Sequence, residues 1–577
     1  MAAESPASAS AANTIGQRRH GLAHDLVLPT LLFGALGGMT WAVRGCSGFG
    51  AVAGCVFAGV TWGAAWWFLA QSPEGAPRRP YDSGWIVLAL TVGIGLSGAR
   101  GWMQWPSFFD GKLMTNAAKG EYAPISKGYG FLWLFIAGVP WAGIGACLLA
   151  WTGSVRPTRA WHWIVRIALG LGGALLARYL FTAYPQYFLP LHGSLEARYN
   201  DLESNPSLRR LMNDCGAAIT HLGWYLGFLL YEAGRKEWKN VVLILTVGIV
   251  NGAGWALCQN WKWAREFWPG SDFNFWRCWE SSGGISIGVA YGLAYFLVNR
   301  EPSGDEPAKL PSVAGSSFER LLLYCGLAWL LALFLGPQMG GWGNLFFTVA
   351  LLSGAISFLL NRRAVLNPSP VPRERDRADN VIEGGTACLV AALSAGLFLS
   401  GKQTGWYGVL GSGAPLALGY AWYLVNRSTF DEEARTGAPV EIDPNLERLG
   451  LYLGLFMGLG LSVRNGLKGW FNIYLGHENY WDRKLWEVFG PLSLACLTAI
   501  VVWVLARPLP RNRGGARFSH AYGLIWLVLI VQNAIAQLIT GPLTQWNEMA
   551  FSIYYLLLFS ISALIVFHFH VIRERSR

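Results

Sequence analysis

Long apolar runs separated by short polar connections dominate the sequence. A helix needs about 20 mostly apolar residues to cross a bilayer, and sixteen runs approach that length: 26–43, 49–70, 84–100, 129–151, 160–181, 212–231, 240–258, 277–298, 320–336, 344–361, 382–400, 406–425, 446–463, 485–506, 519–540 and 549–570. Several runs are short or broken by glycine, so fourteen spans with re-entrant segments stays an alternative. The pattern predicts an all-α, polytopic transmembrane bundle of about sixteen helices in eight hairpins.

Basic residues predict the orientation of this bundle. The two tails and every second connection carry at least two Lys or Arg residues each, whereas three of the opposite connections, 45–48, 337–343 and 541–549, carry none. Cytoplasmic loops retain basic residues, so we expect both termini in the cytoplasm of a cell-membrane protein. The lipid bilayer is then the first predicted partner.

Composition supports lipid contact and excludes other classes. The chain is 53% hydrophobic and only 14% charged, with 30 Trp and 71 Gly, whereas about a quarter of a soluble domain is charged. The basic residues are dispersed among short loops, which argues against a nucleic-acid partner. Nine cysteines form no disulfide or zinc pattern, and we expect no metal and no cofactor. The connections are too short for a nucleotide-binding domain, which leaves a separate ATPase subunit open.

The hairpins divide into two halves of four. We predict a disordered tail over 1–25, a first half over 26–300, a linker over 301–317, a second half over 318–572 and a tail over 573–577. Three outgoing runs end alike, in LSGARGW (96–102), LSGKQTGW (399–406) and LSVRNGLKGW (461–470). An even number of spans per half makes such repeats parallel, as in some secondary transporters. Chance similarity in a chain rich in Gly and Trp is the other explanation.

Charged residues gather where outgoing helices end and returning helices begin, near the predicted outer surface. Ionisable groups at membrane depth are costly and often functional, although an acid in a first turn or a snorkelling Arg can simply anchor a helix end. Because bases and acids share one depth, we expect salt bridges among them. The candidate substrate-binding residues are Arg100, Arg178, Asp214, Glu280, Arg464, Asn465, Lys468 and Glu487.

Two of these regions invite a more specific prediction. Arg178 is apolar on both sides in ALLARYLF (174–181), so we expect a buried charge paired with an acid of a neighbouring helix, of which Asp214 is nearest in sequence. His221 in an apolar run is more typical of a helix-interface histidine than of a proton relay. The connections 101–128, 182–211, 259–276 and 464–484 are rich in aromatics and predict short amphipathic helices in the outer interface.

Three functions fit this pattern. A transporter or flippase for a polar or amphiphilic solute, anionic or sugar-like, would place charges along a cavity between the halves. A membrane-embedded transferase acting on a lipid-linked or outer-face substrate would have one deep outward pocket, and its catalytic residues are not identifiable. A scaffold or assembly subunit would have its charges paired or exposed, with no enclosed polar cavity. Helix number and the possible duplication favour transport, by analogy alone.

Overall fold

A computed structural model of the protein describes residues 21–45, 51–71, 79–98, 105–154, 156, 158, 160–299, 444–475 and 514–575. The described helices are α1 (Leu28–Arg44), α2 (Ala51–Ala70), α3 (Trp85–Ser97), α4 (Gly128–Trp151), α5 (Ala160–Ala183), α6 (Glu196–Asn200), α7 (Pro206–Gly234), α8 (Trp238–Cys258), α9 (Ala264–Phe267), α10 (Phe275–Asn299), α11 (Pro444–Leu475), α12 (Gly514–Leu538) and α13 (Trp546–Arg575). A π-helical turn (Ala23–Val27) leads into α1, and 3-10 turns lie at Trp105–Asp110, Pro185–Tyr187 and Gln259–Trp263.

The protein is mostly helical, as the apolar pattern predicts. Among the described residues, seven helices are long and apolar enough to cross a membrane, namely α4, α5, α8, α10, α12, α13 and α1 with its leading turn. Shorter apolar segments occur in α2, α3 and α11. The predicted runs 320–336, 344–361, 382–400, 406–425 and 485–506 lie outside the described residues, so a total of sixteen spans stays a prediction.

Successive long helices alternate in direction and give the bundle two ends. At one end Arg44 of α1 meets Gly98 after α3 and Glu280 of α10. At the other end Arg573 of α13 donates to the carbonyl of Leu69 at the end of α2. We call the first the sheet end, because a small β-sheet lies there, and the second the basic end.

Glycine allows the helices of the bundle to approach closely. Residues Gly284 and Gly288 of α10 lie against the backbone of Gly37 and Phe33 on α1, with no space for a Cβ atom. Without a hydrophobic driving force between helices in lipid, such small-residue contacts supply the packing. These glycines therefore form a packing face of α10 against α1.

The sheet end differs from the predicted row of amphipathic helices. Strands β1 (Lys112–Asn116) and β2 (Glu121–Pro124) pair antiparallel. The connections 182–211 and 259–276 do contain short helices and 3-10 turns, which agrees with the prediction. The connection that was predicted to begin at 464 is instead helical to Leu475, because α11 continues through it. In the described residues, α3 ends at Ser97 whereas α11 continues past the corresponding Ser462, so the two similar sequences differ in structure at this point.

Candidate functional site

A buried ion pair joins the first and tenth helices at the sheet end. Arg44 Nη1 lies 3.4 Å from Glu280 Oε2, and the two side chains are only 7% and 3% exposed. The guanidinium also donates to the carbonyl of Gly98 at 2.9 Å and to the thiol of Cys55 at 3.4 Å. Glu280 is the sixth residue of α10, beyond the first turn in which a carboxylate acts mainly on the helix dipole. Its role is therefore contact between helices.

Tryptophan rings surround this ion pair. The Arg44 guanidinium carbon lies 4.8 Å from the ring centre of Trp41 and 5.8 Å from that of Trp141. Trp255 packs edge-on against Trp141 at 4.8 Å, and Trp279 lies 5.7 Å from Trp255. Aromatic faces attract a cation, and the apolar rings strengthen the charge interaction by excluding water. The rings therefore hold the guanidinium between α1, α4 and α10.

A second ion pair connects α10 to α13. Arg277 Nη1 lies 2.7 Å from Glu548 Oε2, with 9% and 13% of the side chains exposed. Neutral hydrogen bonds flank it on both sides: the hydroxyls of Ser281 and Tyr554 are 2.7 Å apart, and the Asn274 amide donates to Asn547 at 3.1 Å. We call these six residues the polar seam, to which Asn274 contributes its backbone amide. The seam links a helix of the predicted first half to one of the predicted second half.

A small pocket lies beside these pairs, between α4 and α7. Its cavity volume is only about 10 Å³, and it is lined by Trp105, Ala137, Pro140, Trp141, Asp214, Ala218 and His221. Trp141 thus touches both this pocket and the Arg44 guanidinium. Because α7 begins at Pro206, Asp214 lies about two turns inside the helix rather than at its start. The sequence placed this acid at a helix end, and that placement is wrong.

Several candidate residues are not brought together. Arg178 is exposed on α5, so the prediction of a buried charge is wrong, because α5 packs on α7 through its glycines and turns this position outward. Its Nη1 atom lies beside Gly216, and the predicted pairing with Asp214 stays a prediction. Arg100 and Glu487 lie outside the described residues, as do the side chains of Arg464, Asn465 and Lys468, whose backbone belongs to α11.

The sequence pattern did not predict a buried polar network that lies at the basic end. Arg166 Nε donates to Glu232 at 2.9 Å, and the Asn240 amide donates to the same carboxylate at 2.7 Å. The hydroxyl of Tyr81 donates to Asn240 at 2.5 Å, and the Tyr81 backbone donates to Asn299 at 3.0 Å. Burial, together with the charge of Glu232, raises the pKa of Tyr81. The available signal is that Arg166 lies within the run 160–181 and Glu232 directly follows the run 212–231, both toward the side with the basic loops.

No protein-family model, no curated protein and no solved structure matches this chain. The site must therefore be interpreted from its own geometry. Across the part of the chain that the structure describes, no three His, Cys, Asp or Glu side chains converge in a metal-binding group. The described residues include three buried pairs of opposite charge at helix interfaces and one small pocket lined by an acid and an imidazole.

Proposed function

We propose that this protein is a transporter or flippase for a polar or amphiphilic solute, moved between two halves of the bundle. The observation that carries the proposal is the polar seam, in which Arg277 of α10 and Glu548 of α13 are paired at 2.7 Å. The proposal includes about sixteen helices in eight hairpins, two parallel halves and both termini in the cytoplasm.

The chemistry of the seam supports movement between these helices. A buried ion pair adds little net stability because desolvation offsets the attraction, so stability alone does not explain why charges are kept there. Hydrogen bonds and ion pairs have discrete partners, and interfaces built from them switch between alternative packings in known conformational transitions. Alternating access needs an interface of this kind between the halves of a carrier.

The same residues indicate the class of solute. If the seam opens, Arg277 loses its carboxylate partner, and a neighbouring guanidinium, that of Arg44, is held nearby on Trp rings. Arg binds phosphate and carboxylate with a planar fork of donors, while indole rings pack on sugars and apolar chains. An anionic amphiphile such as a polyprenyl phosphate, or an acidic sugar, fits this combination.

A membrane-embedded transferase is the second candidate, and the pocket at Asp214 and His221 favours it. An acid and an imidazole on one helix face can divide the roles of general acid and base. However, a cavity volume of about 10 Å³ is far below the roughly 300–1,000 Å³ typical of ligand pockets. A lipid-linked substrate therefore needs an opening larger than the one present, which ranks this candidate below transport.

A ligand screen followed by a flux assay tests the proposal. Purified protein is screened by thermal shift with polyprenyl phosphates, phospholipids, sugars, amino acids and nucleotides. A ligand at 100 times its Kd adds about 2.7 kcal/mol to the native state, and we expect the anionic amphiphiles to give this effect. Arg277→Gln should abolish it. Arg198→Gln is the matched control, because Arg198 pairs with Glu121 at 3.3 Å on the exposed surface.

Flux separates transport from the alternatives. The stabilising ligand, labelled, should cross the membrane of proteoliposomes that contain the wild type and should not cross with Arg277→Gln. Binding followed by chemical conversion of the ligand would replace the proposal with the transferase. The absence of binding across the whole panel would overturn it in favour of a scaffold.

A further inference from the structure

We propose that the groove between α5 and α7 at the sheet end binds an anionic phospholipid, with its phosphate on Arg178, Asn213 and Arg209 and its acyl chains along α5. Among the described exposed residues of α5, Arg178 is the one charged side chain. A cation on an otherwise apolar surface at membrane depth is stabilised by an anionic partner. The inference goes beyond the proposed transport function and does not depend on it.

Helix α5 faces lipid more than any other candidate span among the described residues. Only 22% of its apolar window lies inside the protein, against 39–78% for the other six. A helix of this length and composition is stable in a bilayer because acyl chains cover its apolar side chains. Lipid is therefore the immediate neighbour of the α5 surface.

Aromatic residues place Arg178 at the level of the lipid headgroups. Trp161 and Trp163 are exposed near the start of α5, and Tyr179 and Tyr184 are exposed near its end. Residues 161 and 179 are 18 positions apart, or about 27 Å along a helix, which matches a hydrocarbon core of about 30 Å. Trp and Tyr concentrate at both membrane–water boundaries. Arg178 lies at one of these boundaries, where lipid phosphates are within its reach.

The Arg178 side chain extends across the groove to α7. Its Nη1 atom lies so close to Gly216 that a Cβ at position 216 would clash with it. Asn213 and Arg209 precede Gly216 by three and seven positions, which places them on the same face of α7, and both are exposed. The distance from 209 to 216 is about 10 Å along the helix. Donor side chains from two helices thus line one groove over the length of a lipid headgroup.

The two guanidinium groups are available to an external anion. Within the described part of the chain, Arg178 and Arg209 form no ion pair, and Arg178 lies 5.8 Å from the ring centre of Phe181. Arg binds phosphate through a planar fork of donors, and the Asn213 amide can donate to another phosphate oxygen. The acids of the adjoining connection that leave both arginines unpaired in this part of the chain are Glu196, Asp201 and Glu203.

An apolar row for the acyl chains begins directly below the guanidinium. Leu175, Leu171 and Ile167 precede Arg178 by three, seven and eleven positions, so they share its side of α5, and all three are exposed. Beside this row, no atom lies within 4 Å of the position that a Cβ of Gly172 would take. The surface therefore combines a phosphate-binding end with an apolar track, as a phospholipid requires.

The charge of this surface disfavours a second copy of the chain as its occupant. Two α5 helices related by a two-fold axis along the membrane normal would bring both Arg178 side chains to the same depth. Like charges repel most strongly where water is scarce. An anionic phospholipid instead complements the charge and covers the apolar row together.

Native mass spectrometry of the full-length protein in a non-ionic detergent tests the site. The probes are dioleoyl phosphatidylglycerol and dioleoyl phosphatidylcholine, which share acyl chains and differ in net charge. We expect the first phosphatidylglycerol to bind at least about fivefold more tightly than phosphatidylcholine. Arg178→Gln and Arg209→Gln should each weaken it roughly fivefold, the usual contribution of one basic residue near an anionic lipid surface.

The matched control is Arg198→Gln, which removes the same charge at the same end from the exposed pair with Glu121. It should leave the affinity for phosphatidylglycerol unchanged. Millimolar inorganic phosphate should not displace the lipid, because the acyl chains contribute to binding. Unfolding by SDS in the absence of added lipid should be the same for all three variants, which separates lost binding from lost structure.

Three results would overturn the site. Equal affinity for the two lipids, or an affinity for phosphatidylglycerol that neither Arg178→Gln nor Arg209→Gln changes, would leave Arg178 as an anchor of the helix end. Displacement by inorganic phosphate would indicate a site for free anions. Loss of phosphatidylglycerol in Arg277→Gln would place the lipid at the polar seam. If lipid binding persists in Arg277→Gln while no solute crosses proteoliposomes, transport fails and the lipid site stands.

Discussion

Arg166 and Glu232 form an ion pair with neither side chain exposed. The guanidinium lies 4.8 Å from the ring centres of Trp163 and Tyr231, and Asn240 holds the second carboxylate oxygen at 2.7 Å. This arrangement offsets the desolvation of both charges only while every partner is present. The pair ties α5 and α7 to the start of α8 at the basic end.

Removing the acid of this pair should be severely destabilising. We expect Glu232→Ala to lower the free energy of unfolding by roughly 3–5 kcal/mol, because Arg166 is then buried without its counter-charge. Unfolding by SDS titration in mixed micelles measures the change. The double variant Arg166→Met with Glu232→Met should be more stable than Glu232→Ala, since no charge stays buried.

The exposed pair of Arg198 and Glu121 is the control for this measurement. Its side chains are 43% and 42% exposed, and Glu121→Ala should cost at most about 1 kcal/mol because water screens the interaction. Equal losses for Glu232→Ala and Glu121→Ala would contradict the network at the basic end.

At the residue scale, the sequence correctly predicts that acids and bases of neighbouring helices meet, but it does not predict which way each side chain points. Bases and acids at one predicted depth do form salt bridges, as Arg44 with Glu280 and Arg277 with Glu548 show. Hydropathy gives no information on which way a side chain points, so Arg178 was predicted to be buried and is exposed. The predicted apolar run begins at 212, which places Asp214 at a helix start, yet the helix already begins at Pro206.

At the scale of elements, the crossing of α5 and α7 depends on glycine. Gly173 and Gly223 face each other so closely that a Cβ on either would meet the carbonyl of the other. The preceding residue on α5, Gly172, has no atom within 4 Å of the position that a Cβ would take. Neighbouring glycines thus have opposite surroundings.

A leucine at these two positions should have unequal effects. Gly173→Leu should lower the free energy of unfolding by about 1–3 kcal/mol, because the two helices must separate to admit the side chain. Gly172→Leu should be neutral or slightly stabilising, since leucine favours helix more than glycine does. The same SDS titration measures both variants. Similar losses at 172 and 173 would show that helix propensity, rather than the close crossing, governs this region.

The β-hairpin is an element that the sequence pattern did not predict. Its short strands lie among many aromatic residues, which favoured an interfacial helix. The information lay in the turn, where the Asn116 side chain accepts from the amides of Ala118 and Lys119 and Gly120 has a φ of +65°. Left-handed backbone at a glycine beside a capping asparagine is typical of turns. The residues of the turn, rather than the aromatic content, therefore indicate the structure of this connection.

At the scale of the molecule, the apolar pattern predicts the helices better than their assembly. All eight runs predicted for the first half are helices in the structure, because a length of about 20 apolar residues is a strong physical constraint. The partners of each helix depend on small-residue contacts and single hydrogen bonds, such as that from Gln532 of α12 to the carbonyl of Leu36 on α1. Such contacts join residues hundreds of positions apart and leave no periodic trace in the sequence.

The polar seam is a contact between the two predicted halves that can be fixed by a chemical cross-link. The backbone N–H of Asn274 donates to the side-chain oxygen of Asn547 at 3.1 Å, and the side-chain amide of Asn547 donates to the carbonyl of Asp272 at 3.0 Å. Cysteines at 274 and 547 should therefore react with a short bifunctional thiol reagent. In a background without the native cysteines, and with a protease site inserted within 301–317, the cross-linked chain should still migrate at full length after cleavage. Either single cysteine variant should yield two fragments.

The locked protein then tests whether the seam must open. Cross-linking should leave ligand-induced stabilisation within about twofold of the uncross-linked protein if the ligand enters from the outer surface, but it should abolish flux in proteoliposomes. A reducible reagent restores flux on reduction, which excludes damage by labelling. Undiminished flux through the locked seam would mean that α10 and α13 move as one body, and the ion pair of Arg277 and Glu548 would then be a fixed structural contact. The moving interface would in that case lie elsewhere in the chain, and the charges at this position would serve only to hold the two helices together.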